Sequence, residues 1–411
     1  MPSRHATSLL HDTRTAGYEL LDRLEGARTD SAGSPAAVLL VASYHHRAAL
    51  PEAFELMRAS LRPQAAVGVT AVGIVGGGRL HEGIPSMAAL VLDEPGLSAR
   101  SVRVVPEEGP PATWSIARRR RLLAGEEAPE ATNEEVRTLL WADPFSSDPP
   151  GLAAAGEGML VHGGVLSGSS QAGGNLLLSA SMDREANVSA EGAVGLALRG
   201  SRPKVVAAPG ARPIGPTFVV TASDGVRLIG LGGRPVLEVL REVLESTGDP
   251  EILERQAPMG GLAIGIVVDE QRPDGTVPTC RLRPLTGISR GTGTESPALR
   301  LAEPIRPGRT VRFHLRDRRW AGETLRDRLR GTGTDLAAAS AAIVAVSTAR
   351  DLERPDGAAL GDGESASDPQ WGGPTGVGLR TAGEFVTLAG RSEIDTLAAS
   401  MLVFEGPPSL A

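Results

Sequence analysis

The sequence is poor in lysine, cysteine and aromatic residues, and each shortage excludes a class of protein. The only lysine is Lys204, which lies outside any Gly-Lys-Ser/Thr loop, so the chain is not a P-loop nucleotidase. One cysteine, Cys280, excludes internal disulfides and cysteine-ligated zinc or iron–sulfur clusters, and it favours a reducing cytoplasm. Six Phe, four Trp and two Tyr residues are too few for aromatic platforms that stack nucleic-acid bases.

Basic charge is also in short supply, because 42 basic side chains are opposed by 49 acidic ones. Binding to nucleic acid requires a clustered basic face. The one dense basic run, Arg118–Arg121, precedes the glutamate-rich residues 126–130, and we interpret it as a solvated loop or helix end. No apolar run approaches the ~20 residues of a membrane span, and the polar N-terminal residues are unlike a signal peptide. We expect a soluble, cytoplasmic protein whose partners include neither nucleic acid nor membrane.

Glycine and proline, by contrast, are abundant, with 51 and 31 residues respectively. The hydrophobic fraction of 41% and the charged fraction of 22% are those of an ordinary globular protein. A chain of 411 residues is long for a single core, and it can bury roughly 75% of its unfolded surface. We therefore expect two domains or two fused half-units.

The first ninety residues carry alternating helix and strand patterns. Apolar residues spaced three or four apart predict amphipathic helices, whereas short uninterrupted apolar runs between turn formers predict buried strands. The proline at position 51 suits the first turn of the second helix. These patterns predict, in chain order, a helix over 8–25, a strand over 36–43, a helix over 51–61, and strands over 67–75 and 86–92.

This β-α-β-β pattern recurs along the chain, which indicates internal duplication. Composition could make any two alanine- and valine-rich strands look alike, but three elements in the same order favour a true repeat. A C-terminal copy comprises residues 341–347, 376–383 and 397–407, and a looser middle copy comprises residues 139–144, 161–168 and 192–200.

Residues 214–330 have a different character and predict mainly strands, separated by glycine and proline turns. Residues 97–135 and 351–375 are polar and rich in proline and glycine, and we expect mobile surface loops there. The strands predicted between these loops cover 214–221, 226–231, 262–269, 280–285 and 310–316, with one helix over Pro235–Ser246.

None of the seven histidines has the spacing of a metal site, and we expect neither a metal nor a cofactor. His45 and His46 follow the strand over 36–43, where an imidazole at a sheet edge can reach a ligand. Alternatively, one of them packs and the other is solvated. Ser43 could be a nucleophile assisted by these histidines and Asp143, although it lacks a Gly-x-Ser-x-Gly elbow.

Glycine-rich turns fall at equivalent places in the repeats. Gly73–Gly78 is no dinucleotide loop, because residues 80–85 cannot form the helix that such a loop requires. The segments 68–73, 163–164 and 376–383 bring together backbone amides that can approach a ligand or a strand without a Cβ in the way. Packing explains any one of these segments, whereas a pocket between repeats explains their joint occurrence.

Two arginines among the predicted strands could hold a carboxylate through both guanidinium nitrogens. Arg283 lies in the strand over 280–285, and Arg316 closes the strand over 310–316 next to Asp317. For any single arginine in so arginine-rich a chain, a place on the solvated surface is the alternative.

The order of these motifs over residues 10–407 resembles the FIST family, a paired N- and C-terminal module that forms a small-ligand-binding sensory region. The segments that resemble its N-terminal part are Val41–His46, Val67–Gly78, Ala142–Phe145, His162–Gly168 and Gly192–Leu198. Those similar to its C-terminal part are Arg212–Pro216, Val220–Thr221, Gly233–Pro235, Arg283, Phe313–Asp317 and Gly383–Glu384.

The chain departs from the family pattern at two places. Family members often carry a Cys-x-Gly-Arg-Gly-like segment after the late strand, whereas this chain has Ser347–Asp351. A histidine common near the final strand is replaced around Asp395. If these groups contact the ligand in relatives, the ligand of this protein or its mode of binding differs.

We predict an α+β fold of two domains, with mixed or antiparallel sheets flanked by helices and built partly from repeated β-α-β-β units. The expected divisions are an N-terminal helix region at 1–29, a FIST N-terminal-like domain at 30–225 and a FIST C-terminal-like domain at 226–407. The predicted ligand-binding residues, drawn from strand ends, glycine turns and charged positions, are Ser43, His45, His46, Gly68, Thr70, Gly73, Asp143, His162, Gly163, Gly164, Ser167, Arg283, Arg316, Asp317 and Glu384.

The resemblance implies a non-catalytic sensory protein that binds a small metabolite, with amino-acid-like molecules among the candidates, and that signals through a partner protein. We expect the ligand where the glycine turns, His45, His46, His162 and Arg316 converge. The alternatives are a hydrolase built on Ser43 with the two neighbouring histidines and an aspartate, and a protein-interaction scaffold with an exposed apolar patch.

Overall fold

The structure is a computed structural model, and no helix within its described residues is both long enough and apolar enough to cross a membrane. Helices and several sheets are combined, which confirms the predicted α+β class. The residues described are 3–26, 34–106, 115–123, 136–155, 160–182, 184–200, 202–248, 261–269, 279–291, 295–350, 373–388 and 391–406.

The N-terminal half alternates short buried strands with helices, as the apolar pattern predicts. In chain order its elements are β1 (Arg4–Ser8), α1 (Thr13–Gly26), β2 (Ala37–Ser43), α2 (Leu50–Leu61), β3 (Ala65–Ala71), β4 (Gly73–Gly76), β5 (Arg79–Glu82), β6 (Met87–Leu92), β7 (Ser98–Val104), α3 (Ile116–Leu123), β8 (Arg137–Ala142), α4 (Pro149–Ala155), β9 (Leu160–Leu166), β10 (Leu177–Ser181), β11 (Asn187–Ser189) and β12 (Ala193–Arg199).

The C-terminal half is richer in strands. Its elements are β13 (Lys204–Pro209), β14 (Ala211–Asp224), β15 (Arg227–Leu231), β16 (Arg234–Pro235), α5 (Val236–Ser246), β17 (Leu262–Val267), β18 (Cys280–Ser289), β19 (Ala298–Leu301), β20 (Thr310–Arg316), α6 (Arg318–Gly331), β21 (Ala339–Ser347), β22 (Gly376–Leu388), β23 (Arg391–Asp395) and β24 (Ala398–Glu405).

Three four-stranded modules share one topology, which confirms the predicted repeats, including the middle one. In each, a lead strand pairs antiparallel with the last strand, the last strand pairs antiparallel with a central strand, and that strand pairs parallel with its successor. A helix follows the lead strand in the first two modules. The strand orders are β1-β6-β2-β3 in the first module, β7-β12-β8-β9 in the middle module and β13-β24-β21-β22 in the third module.

The first module lies in a six-stranded sheet, and the other two modules join in an eleven-stranded sheet. Apolar residues of both sheets, such as Val41 and Trp141, form one core between them. Helices α1 and α2 cover the other face of the six-stranded sheet, where Phe54 and Met57 are fully buried. The strand β2 is therefore covered on both faces, which explains its uninterrupted apolar run.

A third sheet, the inserted sheet, separates β13 from the rest of the third module. Its strand order is β14-β20-β17-β18-β19-β15-β16, and its described pairings are antiparallel. Helix α5 lies against it and buries Val236, Val239 and Val243 in a separate core. Helix α6 instead packs Leu325 and Leu329 on the third module, and the chain thereby returns to the module that β13 began.

The structure corrects several predicted elements. The predicted helix over 8–25 begins only at Thr13, because β1 pairs with β6 as far as Ser8 and a short connecting segment over 9–12 precedes the helix. The predicted strand over 67–75 is two strands, since β4 leaves the six-stranded sheet and pairs with β22 in the other sheet. Strand β5 directly follows the glycines of 76–78. This confirms the prediction that these glycines do not open the helix of a dinucleotide-binding loop.

The predicted mobile loop over 97–135 contains β7 and α3. In β7, Ala99 is buried in the core between the two sheets, whereas Val102 and Val104 are buried in a separate core on the opposite face. The buried positions therefore follow no single alternation, and the loop prediction overlooked this edge strand. Of the predicted loop over 351–375, only the short 3-10 turn Gly373–Thr375 lies within the described residues. The proposed boundary at 225–226 lies in the turn that joins the paired strands β14 and β15.

Candidate functional site

Ser43 and the two histidines beside it lie at the carboxyl end of β2. The Ser43 hydroxyl accepts a hydrogen bond from the Ser86 amide at 3.0 Å and lies 3.3 Å from Nδ1 of exposed His45. His46 is buried, and its Nδ1 lies 3.0 Å from the hydroxyl of Thr13 on α1. Burial lowers the pKa of His46 to about 4, so its imidazole is neutral near pH 7 and joins α1 to β2.

Asp143 follows the middle module's central strand but does not complete a catalytic set with these groups. One carboxylate oxygen accepts hydrogen bonds from the Phe145 and Ser146 amides, both at 3.0 Å. The other oxygen accepts one from the Asn175 side chain at 2.8 Å. No carboxylate in the described part of the chain is hydrogen-bonded to His45, so the orienting acid of a Ser–His–Asp site is not in place there.

Thr70, Ser167 and the backbone of Arg380 lie where the three modules meet. The Thr70 hydroxyl accepts a hydrogen bond from the Leu176 amide at 2.9 Å. The Ser167 hydroxyl donates to the Arg380 carbonyl at 2.7 Å and accepts from the Val72 amide at 3.4 Å. The structure thus brings the predicted residues Thr70 and Ser167 into one region, and their described hydrogen bonds hold different parts of the fold together.

The four predicted glycines lie where neighbouring elements approach one another closely. Gly163 has φ +109°, and a Cβ there would lie 2.1 Å from the Leu140 carbonyl oxygen. A Cβ at Gly68, Gly73 or Gly164 would approach side-chain or backbone atoms of neighbouring strands within 3.0 Å. Close approach of strands therefore accounts for glycine at these four positions.

His162 lies in the interior beside a cavity of about 10 Å³, roughly the space of one water molecule. Leu139 and Trp141 of β8 and Ile343 of β21 line this cavity. Both ring nitrogens of His162 are buried, and neither has a hydrogen-bond partner among the described residues. Burial, reinforced by the charge of Arg137, lowers the pKa of His162 to about 4. The neutral ring cannot bind an external ligand without opening the core.

Arg316 and Asp317 lie where β20 passes into α6. The Asp317 carboxylate accepts a hydrogen bond from the Trp320 amide at 3.0 Å and therefore caps α6. It also pairs with Arg212 at 3.2 Å. Burial lowers the pKa of the half-buried Arg316. The expected convergence of Arg316 with His45, His46 and His162 is not what the structure shows, because these residues lie in three different parts of the fold.

Glu384 and Asp395 form a buried acidic pair on the neighbouring strands β22 and β23. Burial raises the pKa of both carboxyl groups. The Thr381 hydroxyl donates to Glu384, and the amides of Leu282 and Leu397 donate to Asp395 at 2.9 and 2.8 Å. Asp395, a departure from the family pattern, thereby joins β18 of the inserted sheet to the third module.

Of the other departure, at Ser347–Asp351, residues 347–350 lie within the described part of the chain, at a joint of the fold, and Asp351 lies outside it. The Ser347 hydroxyl donates to the Thr396 carbonyl at 2.6 Å. Arg350 is buried, and its guanidinium donates to the carbonyls of Ala208 at 2.7 Å and Ala321 at 2.9 Å. This arginine therefore connects the lead strand of the third module with α6.

A cleft of about 320 Å³, large enough for a small molecule, lies between α4, β18 and β23. Pro150, Ala153 and Ala154 form an apolar wall on α4, and charged side chains form the opposite wall. Its volume is at the lower end of the range of small-molecule pockets. The residues that line it are Pro150, Ala153, Ala154, Arg281, Arg283, Glu303, Arg391, Ser392, Glu393 and Ile394.

A network of ion pairs orders the charged wall of this cleft. Arg281 bonds Glu303 at 2.6 Å and Glu393 at 2.7 Å, and Nε of Arg283 bonds Glu303 at 2.8 Å. Arg283 is only 4% exposed, whereas Arg391 is exposed and has no side-chain partner among the described residues. The cleft thus combines three guanidinium groups with two carboxylates, and an anion suits its remaining positive charge.

Of the predicted site residues, only Arg283 lines this cleft, and sequence reasoning missed the others. A usable signal was present, because Arg281 and Arg283 are two residues apart in a strand and so share a face. Arg391 and Glu393 have the same spacing in β23. Their convergence depends on the contact between the inserted sheet and the third module, which no local pattern reports.

Sequence comparisons relate the chain to a known family and to mycobacterial proteins. Residues 36–234 match the FIST N domain. The chain is 30% identical over 405 residues to the uncharacterized protein Mb0898c of Mycobacterium bovis, and the match covers 96% of each chain. It is 29% identical over 385 residues to the uncharacterized protein Rv0628c of Mycobacterium tuberculosis, covering 90% of this chain and 92% of that one.

The matched residues include the first module without β1, the whole middle module, β13, and the strands β14 and β15 of the inserted sheet. The mycobacterial relatives extend the likeness over nearly the whole chain, including the third module. FIST domains form a family of sensory modules that bind small ligands. On these matches, the chain belongs to the FIST family.

Proposed function

We propose that this protein is a non-catalytic sensor of intracellular signal transduction, which binds a small metabolite in the cleft between α4, β18 and β23. The observation that carries the proposal is the cleft itself, about 320 Å³ with one apolar and one arginine-bearing wall. Apolar surface with a few convergent polar groups is the usual composition of a small-molecule site. Cys280 is the chain's only cysteine, which fits the cytoplasmic location that we propose.

The position of the cleft supports a sensory role, because it lies where the inserted sheet meets the third module. Arg281 of β18 pairs with Glu393 of β23 across this contact. Beside that pair, Arg283 donates to the Ile394 carbonyl at 2.8 Å, and the Thr396 hydroxyl donates to the Leu282 carbonyl at 3.1 Å. A ligand that bonds Arg281 changes the relative stability of arrangements of the inserted sheet and the third module.

The signal then passes to a partner protein, which distinguishes the liganded from the unliganded arrangement.

The ion pairs of the cleft allow a ligand to enter. The side chains of Arg281, Glu303 and Glu393 are each about a quarter exposed, so their ion pairs are screened by solvent and can exchange partners at low cost. A ligand anion can therefore compete with a carboxylate for Arg281 without first breaking a deeply buried charge pair.

Thermal-shift screening of the purified protein against a metabolite library tests this proposal. At least one metabolite should raise the melting temperature in a concentration-dependent way, because a ligand that binds only the folded state stabilises it. The variants Arg281→Gln and Glu393→Gln should alter this shift, whereas His45→Ala, which changes a residue that does not line the cleft, should leave it unchanged. A library in which no metabolite stabilises the protein would contradict a ligand-binding function.

The hydrolase alternative retains one favourable observation, the 3.3 Å separation between the Ser43 hydroxyl and Nδ1 of His45. If this pair is nucleophilic, the protein should hydrolyse an activated ester such as p-nitrophenyl acetate in a way that Ser43→Ala abolishes. The proposed sensor should instead show the same slow background rate for the wild type, Ser43→Ala and the control Ser189→Ala, whose half-buried serine at the end of β11 is hydrogen-bonded to the backbone of Glu191.

A further inference from the structure

We propose that the cleft selects a small organic monoanion, whose carboxylate binds Arg391 beside Arg281 and whose apolar part lies against α4. This inference rests on the proposed function, since it names the chemical class of ligand for the same cleft. It excludes cations and neutral polar molecules as ligands of this site.

The charge of the ligand follows from the ion pairs already present. Glu303 and Glu393 are both engaged with Arg281, and Glu303 also bonds Arg283. Arg391 lines the same cleft and has no side-chain partner in the described part of the chain. The cleft therefore has one guanidinium more than its carboxylates neutralise, and a single negative charge completes the balance.

The different surroundings of the three arginines determine where the anion binds. Arg283 is held in place by its bonds to Glu303 and to the carbonyls of Leu282 and Ile394, both at 2.8 Å. It therefore supports the wall and is not available to turn toward a ligand. Arg391 is exposed, so its guanidinium can move onto an incoming carboxylate, and the neighbouring Arg281 adds a second positive charge.

The apolar character of the ligand follows from the opposite wall. Pro150, Ala153 and Ala154 are at positions i, i+3 and i+4, so they share one face of α4. Their side chains carry no hydrogen-bonding group, and they are short enough to leave the cleft open. A ligand with polar groups on this side would lose bonds to water and gain none in return. A hydrocarbon part is favoured there, because it leaves water without such a loss.

Four simple probes separate the contribution of the ligand's charge from that of its apolar part. They are hexanoate, hexylammonium, acetate and inorganic phosphate. Binding to the full chain is followed by saturation-transfer NMR and by titration of chemical shifts. We expect hexanoate to bind, acetate to bind more weakly and hexylammonium not to bind at all. Phosphate should bind more weakly than hexanoate, because it lacks an apolar part. Equal binding of hexylammonium and hexanoate would overturn the monoanion assignment.

Two variants place the effect in the cleft. Arg391→Gln should weaken hexanoate binding about tenfold or more, as expected for loss of a charge-assisted hydrogen bond. Ala154→Asp should abolish the binding, since it puts a negative charge on the apolar wall. The matched control Arg326→Gln removes an exposed arginine of α6 that does not line the cleft, and it should leave the affinity unchanged. Circular dichroism verifies that each variant is folded.

The outcomes separate this inference from the sensor proposal. If library metabolites stabilise the protein but hexanoate does not bind, the sensor proposal stands and the monoanion inference fails. The same holds if hexanoate binds equally well to Arg391→Gln and to the wild type. If hexanoate binds in the cleft while no library metabolite does, the ligand class is supported and the proposal of a metabolite sensor fails.

Discussion

Replacing His162 by leucine should make the stability of the protein less sensitive to acid. The imidazole is 2% exposed, and both of its nitrogens lack partners among the described residues. Burial lowers its pKa from 6.5 to about 4. The folded state therefore disfavours the charged ring. The free energy of unfolding has its full value above pH 6.5, where the ring is neutral in both states, and this histidine lowers it as the pH falls toward 4.

The size of the effect follows from proton linkage. Below pH 6.5 the unfolded chain gains a proton at this histidine that the folded protein does not take up until about pH 4. Each pH unit in this interval costs about 1.4 kcal/mol, so His162 alone removes about 2 kcal/mol from the free energy of unfolding between about pH 7 and pH 5. His46 and His314, whose pKa values are also lowered to about 4, act in the same direction and remain in the variant.

Urea unfolding of the wild type and His162→Leu at about pH 7 and about pH 5, followed by circular dichroism, measures this difference. At pH 7 the variant should be at least as stable as the wild type, because it loses two unpartnered buried nitrogens. At pH 5 it should be more stable by about 2 kcal/mol. Leu139→Val changes the same cavity but keeps the histidine, so it should show the acid sensitivity of the wild type. An unchanged pH dependence in His162→Leu would refute the reasoning.

Two further predictions concern the backbone. Asp317→Ala removes the cap on the Trp320 amide and should lower the unfolding free energy by about 1 kcal/mol, which thermal unfolding can measure. Gly163→Ala should prevent folding or destabilise severely, as seen in the yield of folded protein, because its Cβ would lie 2.1 Å from the Leu140 oxygen. Gly233→Ala is the matched control: φ is +79° but no atom lies within 4 Å, so we expect a cost of only about 1 kcal/mol.

Local pattern was sufficient for elements whose environment is uniform along their length. The run Ala37–Ser43 is apolar at nearly every position because both faces of β2 are covered, and α2 and α5 lie within one residue of their predicted bounds. The order of such elements also revealed the three modules, since a duplicated unit repeats its pattern even where its side chains differ.

Pattern was insufficient where a strand changes partner or lies at an edge. The run over 67–75 has the composition of one buried strand, so nothing in it shows that β4 leaves one sheet and pairs with β22, some 300 residues later. Likewise, the sequence contains the residues of β13 and β21 but not the fact that the inserted sheet interrupts a module between them. These choices depend on contacts between segments that are distant in the chain.

The sequence by itself determined the module pattern, the α+β class and the FIST resemblance, because periodicity and motif order are properties of short segments. Only the tertiary structure decided the site. Arg281 and Glu393 are 112 residues apart, and they meet because the inserted sheet folds back on β23. The predicted histidines lie elsewhere, since a residue's position after a strand specifies the edge it reaches and not what packs there.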